Sequence, residues 1–237
     1  MNRLVRFDLA DITPDGDTVL GNQGVPEGTT VSQSIHTILS QTMDLFATSA
    51  RPVGMISELS TGEFESIFRG EGKNDKENPL EQIFPHSDNL ALFALTMGGL
   101  VSTRIEELFQ DNHFALGSML DAVASLAADK AVEASEADYF TNLSNRSLIK
   151  PDSQVLSYSP GYCGWHISGQ RKLFEYLQPE KVGITLNKSF LMSPLKSVTG
   201  VLIAGKREIH IFKSNYTFCK LCKTYSCYER MKSLSYA

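Results

Sequence analysis

Residues 156–177 read LSYSPGYCGWHISGQRKLFEYL. The first few residues belong to a short extended run. From about Ser168 to Leu177 the apolar residues Leu173, Phe174 and Leu177 fall at helical spacing, with Ser168 as a cap and Arg171 to Glu175 as an (i, i+4) pair. Between strand and helix lie Ser159, Pro160, Gly161, Tyr162, Cys163, Gly164, Trp165 and His166, including the only tryptophan of the chain. A loop this rich in rigid and aromatic residues is costly to order. Such a loop is expected to hold something.

The strand–loop–helix sets the pattern on either side. After Pro151 the chain predicts short strands at QVLSYS, KVGITLN, SVTGVLIAG and EIHIFKS. Upstream, NLALFALTMGG (residues 89–99) is a continuous apolar run closed by two glycines, which predicts a buried strand. Helices are expected over about 100–110 and 113–139, and another over about 29–50, capped by Thr30 or Ser32. Residues 1–27 predict a strand at LVRFDL, then turns at TPDGD and GNQGVPEG. The polar run GEGKNDKENP (residues 70–79) reads as a solvated connector or a lid. Helices and strands mix without regular βαβ alternation. The expectation is one α+β domain, a curved and mostly antiparallel sheet flanked by helices. Residues 1–87 form its N-terminal helical and loop part, 88–213 its core, and 214–237 a cysteine-containing tail.

Composition narrows the function. Of 237 residues, 42% are hydrophobic, enough to bury a core, and the net charge of −5 comes without a long basic run. Nucleic acid is therefore not the expected partner. The N-terminus lacks the apolar core of a signal peptide, and no window is long and apolar enough for a membrane span. A cytoplasmic protein is expected. No P-loop, dinucleotide fingerprint or hydrolase-like nucleophile–base pair is present.

Two well-spaced motifs carry a resemblance. YSPGYCGWHISGQRKLFEYL is followed by VGITLNKSFLMSPLKSVTGVLI, with Gly183, Ile184, Thr185, Leu186, Ser189, Met192, Pro194, Lys196, Ser197 and Gly200 in order. Together with LFALTMG, MLDAVASLAAD and VEA upstream, this resembles the activation domain of vitamin B12-dependent methionine synthase over residues 88–213. The resemblance implies support for the reductive methylation of inert cob(II)alamin. S-adenosylmethionine would supply the methyl group, and a flavodoxin or ferredoxin one electron, to cobalamin held by a separate methyltransferase subunit. The chain would then be part of a methyltransferase system rather than an enzyme on its own. The resemblance implies that Pro160, Gly161 and Tyr162, with Cys163 and Gly164 next in line, face the nucleoside and corrin. It also implies that Glu133 meets the ligand's amino group. Residue chemistry is compatible with this. Pro160 fixes a torsion, Gly161 admits close approach, and Tyr162 and Trp165 offer aromatic faces to an adenine, a corrin edge or a sulfonium. The same residues also suit a tight turn with two core anchors, and Glu133 suits a solvated helix face equally well. Tyr158 and Lys196 are lesser candidates, Lys196 for a carboxylate, a corrin propionamide or solvent. His166 suits a hydrogen-bonded loop residue better than a cobalt ligand.

The chain departs from the family pattern at Ser157, where an arginine usually helps hold the S-adenosylmethionine carboxylate, and at Ile209 and His210, which replace paired tyrosines. A hydroxyl cannot supply a guanidinium's bidentate fork. S-adenosylmethionine is then held differently, or the chain is a corrinoid-protein binding or electron-transfer module that does without it. The polar N-terminus, the tail and this departure lead to the expectation of a free-standing subunit. Cys219, Cys222 and Cys227 form a C-x2-C-x4-C array, one ligand short of a closed zinc or iron–sulfur site, and Cys163 is the candidate fourth. Reduced thiols beside Lys220, Lys223 and Arg230 are the alternative.

Overall fold

A computed structural model describes residues 2–212 and residue 216. Its centre is strand β3 (Asn89–Thr96), seven of whose eight residues are buried. Alternate residues of β3 serve two cores. Ala91, Phe93 and Leu95 face one side of the sheet, while Leu90, Leu92 and Ala94 face the other. That is why its sequence is a continuous apolar run rather than an alternation.

Around β3 the sheet has the order β1-β2-β3-β7-β4, antiparallel throughout. Its other members are β1 (Arg3–Arg6), β2 (Val53–Leu59), β4 (Ser153–Tyr158) and β7 (Ser197–Lys206). On one face lie α1 (Leu9–Ile12), α2 (Gly16–Asn22), α3 (Gln33–Ser49), α6 (Gly99–Gln110) and α7 (Phe114–Asn145). The other face is covered by α4 (Thr61–Arg69), the single turn α5 (Leu80–Ile83) and α8 (Gly169–Leu177). Strands β5 (Thr185–Leu186) and β6 (Met192–Ser193) pair as a separate small hairpin. The α+β class and the helix-flanked antiparallel sheet are as expected. Among the described residues, no helix is long and apolar enough to cross a membrane.

Several local expectations are corrected. Between LVRFDL and the turn at TPDGD lies α1, and α2 spans from TPDGD into GNQGVPEG where only turns are expected; their N-caps Asp8 and Asp15 accept from Ala10 N and Thr18 N. Strand β2 and helix α4 were not anticipated. Yet Ser60 and Glu63 form a capping box that marks the α4 start in sequence. Helix α3 begins after Ser32, whose side chain caps it, and α7 runs on to Asn145 rather than ending near Tyr139. The strand expected at KVGITLN is reduced to β5, Thr185–Leu186: Lys181 and Val182 close a 3-10 turn over Pro179–Val182, and Gly183 follows with positive φ, which delays the extended run. The described part of EIHIFKS, residues 208–212, adds no strand: it continues a 3-10 turn over Arg207–His210, which buries His210. Arg171 pairs with Glu71 at 2.5 Å, and Glu175 with Lys172 at 2.7 Å, rather than with each other.

Edge strand β4 ends at Tyr158, opposite Val201, while β7 runs on to Ser197 beyond it. The chain leaving β4 crosses Gly200, where a Cβ would lie 2.2 Å from Tyr158 O and 2.8 Å from the Phe93 ring. Only a residue without a side chain fits this crossing. Gly200→Ala is expected to cost about 1–3 kcal/mol, as overpacking does. Gly21→Ala, which meets nothing within 4 Å on α2, should be neutral or stabilise by up to about 1 kcal/mol. Urea denaturation of the two variants checks this.

Candidate functional site

The loop beyond Tyr158 closes on itself. Gly161 N donates to Trp165 O (2.7 Å), Trp165 N to Tyr162 O (2.9 Å) and Tyr162 N to Ser159 O (3.2 Å). This closure needs positive φ at Gly161 (96°), Cys163 (53°) and Gly164 (73°). Two of the three positions carry glycine, which adopts that region without steric cost. Trp165 anchors the loop from beneath. It is 1% exposed, edge-on to Phe64 (5.6 Å between ring centroids) and tilted to Phe68 (5.8 Å). Each such aromatic pair adds about 0.5–1.5 kcal/mol beyond burial. The indole is thus covered by protein, whereas Tyr162 is 53% exposed and faces outward. Pro160 is buried and Gly161 exposed.

Residues 70–79, expected as a connector or lid, form a strap that braces the loop. Asn74 donates to Phe68 O (2.6 Å) and accepts from His166 N (3.0 Å), while Asp75 N donates to Gly164 O (3.0 Å). Asn78 is buried and ties the far end, donating to Asp75 O and accepting from Glu81 N. Glu71 bridges Lys73 and Arg171, and the hydrogen bond from Lys73, aided by Arg171, holds its carboxyl below the usual range. His166 is fixed in turn, its Nδ1 within 2.9 Å of Ser168 Oγ. That bond, and the helical dihedrals of Ser168, explain why Ser168 makes no side-chain cap.

The third component is a row of acids on α7. Asp129, Glu133 and Glu136 follow one another at i, i+4 and i+7, hence on one helix face. Glu136 Oε1 accepts from Ser157 N at 2.7 Å, which places the row beside the open edge of β4. At the other end of the row Lys196 Nζ meets Asp121 Oδ1 and Ser125 Oγ, both at 2.8 Å. Lys196 therefore does not point into solvent; its side chain is only 10% exposed. Asp129 is exposed at the helix surface, yet desolvation by the protein around it pushes its carboxyl up, and the neighbouring charge of Glu133 adds to that, against a smaller opposing effect of Lys196. Two like charges side by side are a setting that a cation relieves.

The strap thus closes the loop that follows β4, and the acidic row is tied to β4 at Ser157, two residues before that loop. Ser157, half-buried on β4, is tied to α7 through its backbone rather than its hydroxyl. Glu133 is exposed on the row. Tyr158 lies in the core, its Oη 2.9 Å from Nδ1 of the buried His210. Cys163 is half-buried against the second core, and Gly164 is held by the strap. Cys219, Cys222 and Cys227 lie outside the described residues. Among the described residues, no three His, Cys, Asp or Glu side chains gather as a metal site. Sequence reasoning missed Asp129 and Glu136, although their helical spacing from Glu133 was there to be used. It also missed Asn74 and Asp75, for which the sequence offered no periodic signal.

Residues 80–217 match the family model of the vitamin B12 dependent methionine synthase activation domain. The chain belongs to that family. It accordingly works with a cobalamin-dependent methyltransferase. The fold is similar to the MetH reactivation domain solved bound to AdoHcy, with a TM-score of 0.62 and 16% identity. That likeness covers 98% of this chain and 89% of the other. No curated protein matches.

The strap makes a direct prediction. Asn74→Ala removes two side-chain hydrogen bonds, each worth about 0.5–1.5 kcal/mol, and should lower stability by about 1–2 kcal/mol. Lys76→Ala, at an exposed strap position, should stay within about 0.5 kcal/mol. Chemical denaturation distinguishes them.

Proposed function

We propose that this activation domain binds S-adenosylmethionine between the 159–164 loop and the acidic row of α7, and presents it to cobalamin held by its methyltransferase partner. The observation that carries the reading is the paired carboxylates of Asp129 and Glu133 at the sheet end where the Gly161–Tyr162 turn is exposed. S-adenosylmethionine has two cationic centres, an ammonium and a sulfonium, and this row offers two adjacent anions. The similarity in fold to a domain solved with AdoHcy supports the same reading.

When bound, the ligand supplies a methyl group to cobalt reduced by one electron. We assign that electron to a flavodoxin or ferredoxin acting in trans. The residues of this chain bind and orient. Glu133, with Asp129 beside it, receives the ammonium through charge-assisted hydrogen bonds. Gly161 lets the nucleoside approach the main chain, and the exposed ring of Tyr162 covers it. Ser157 stands where a guanidinium would grip the carboxylate, and it offers one hydroxyl instead of a fork. Neither a general acid nor a base is required of this chain, because holding the reactants in line is itself catalytic.

Isothermal titration of anaerobically purified protein with S-adenosylmethionine tests the reading. Saturable binding is expected, weakened roughly 10-fold or more by Glu133→Gln, the loss for a hydrogen bond to a charged group. Ser157→Arg should tighten it. A native chain that does not bind, but does so once arginine is restored, would contradict the reading and favour a module that handles the corrinoid protein without S-adenosylmethionine.

The pH dependence follows from Asp129. Its raised carboxyl takes up a proton at a higher pH than an ordinary aspartate, and the protonated form no longer attracts the cation. Affinity is therefore expected to fall as the pH drops, starting above the usual carboxylate range. Asp129→Asn should flatten that part of the profile, as titrations at several pH values would show.

A further inference from the structure

Cys219, Cys222 and Cys227 lie beyond residue 217, where the family match ends. Their gaps, two residues and then four, both fall within the two to four that separate paired zinc thiolates. The order matches neither common iron–sulfur run, which read C-x2-C-x2-C and C-x4-C-x2-C. Three thiolates leave a tetrahedral ion one ligand short. Cys163 is the only other cysteine of the chain. His210, the histidine nearest the array in sequence, is fully buried and engaged at Nδ1 by Tyr158.

The described fold leads the chain toward Cys163. His210 Nδ1 lies 2.9 Å from Tyr158 Oη, and the two rings stack 6.1 Å apart. Phe212, two residues on, packs against the second core, as Cys163 does. The Phe212 ring meets that of Tyr216 at 6.2 Å, and Tyr216 stands three residues before Cys219. Cys163 follows Tyr158 by five residues, a span of at most about 18 Å, and Cys219 follows His210 by nine, a reach of about 30 Å. Closure of the loop between Gly161 and Trp165 holds Cys163 well inside that span. The array therefore has the reach to meet it.

Cys163 is also an unusual residue for its place. It adopts a φ of 53°, where glycine would fit without strain, as Gly161 and Gly164 do on either side. A side chain is kept at a position that favours none, and it is half-buried rather than enclosed. Around the array, Lys220, Lys223 and Arg230 favour the thiolate form and offset the net negative charge of a zinc tetrathiolate.

We propose that Cys219, Cys222 and Cys227, with Cys163 as fourth ligand, bind one zinc ion as a closed tetrathiolate that ties the C-terminal segment to the loop after β4. Each thiol releases its proton on binding. Four protein ligands leave no position for water or substrate, so the ion is structural. The site does not depend on the S-adenosylmethionine assignment.

The test is a zinc titration of the full chain, purified anaerobically with its thiols reduced and stripped of metal by a chelator. One zinc per chain is expected by elemental analysis, with all four cysteines protected from alkylation. Cobalt(II) in its place should give the absorption of a tetrahedral tetrathiolate. Cys163→Ser should weaken zinc binding by more than the roughly 10-fold that loss of a supporting group costs, and should alter the cobalt spectrum. Cys227→Ser, outside the described residues, should do the same. Alkylation of the native chain decides the part of Cys163 even where Cys163→Ser fails to fold. The proposal is overturned by a chain that takes up no zinc, by iron held in an absorbing cluster instead, or by Cys163 staying open to alkylation at saturating zinc. It is also overturned if Cys163→Ser binds zinc as tightly as the native chain.

Discussion

Trp165 packed beneath its own loop, against Phe64 and Phe68, is the contact on which the candidate site depends. The loop is held in an unusual backbone shape, with positive φ at three of four consecutive residues. Such a shape persists only when its surroundings over-determine it. Here the indole ties it to the second core, Gly200 lets it cross β7, and the strap at Asn74 and Asp75 closes it from outside. Core packing on one face of the sheet thereby shapes a surface feature, and Tyr162 is left free to face a ligand.

The acidic row shows the same economy with the other face of the sheet. Helix α7 buries its small residues Ala124, Ala127, Ala128 and Ala131 against the strands, which brings its backbone close to them. Its neighbouring face then places Glu136 at the β4 edge and Asp129 and Glu133 further along. The raised Asp129 carboxyl records desolvation first and, after it, the cost of the like charge at Glu133 in the absence of a cation. A cationic ligand would remove it. On the proposed reading, Ser157 in place of an arginine would move recognition toward the ligand's positive end.

Much of this was legible in the sequence wherever one element determines its own pattern. The run at residues 89–96 is apolar throughout because β3 is covered on both faces, and Ser32 caps α3 by a purely local bond. The Pro160–Gly161 turn and the anchoring potential of Trp165 were likewise visible as residue types. What escaped was decided by distant partners. EIHIFKS alternates like a strand, but Tyr158 receives His210 in the core, and residues 207–210 wind into a 3-10 turn. The 70–79 segment is polar like any connector, and only its contacts with residues ninety positions away make it a strap. Trp165 could equally have faced a ligand; Phe64 and Phe68 of α4 decided otherwise.

The central claim is that the loop is preformed by the core beneath it and the strap beside it, so that a ligand meets a finished surface. Amide hydrogen exchange over residues 159–165 of the ligand-free protein tests this most directly. The account predicts slow exchange at Gly161 and Trp165, approaching that of β7, with added S-adenosylmethionine changing little at either amide. Rapid exchange at both, with protection arising only once S-adenosylmethionine is present, would contradict it and make the ligand the agent that orders the loop.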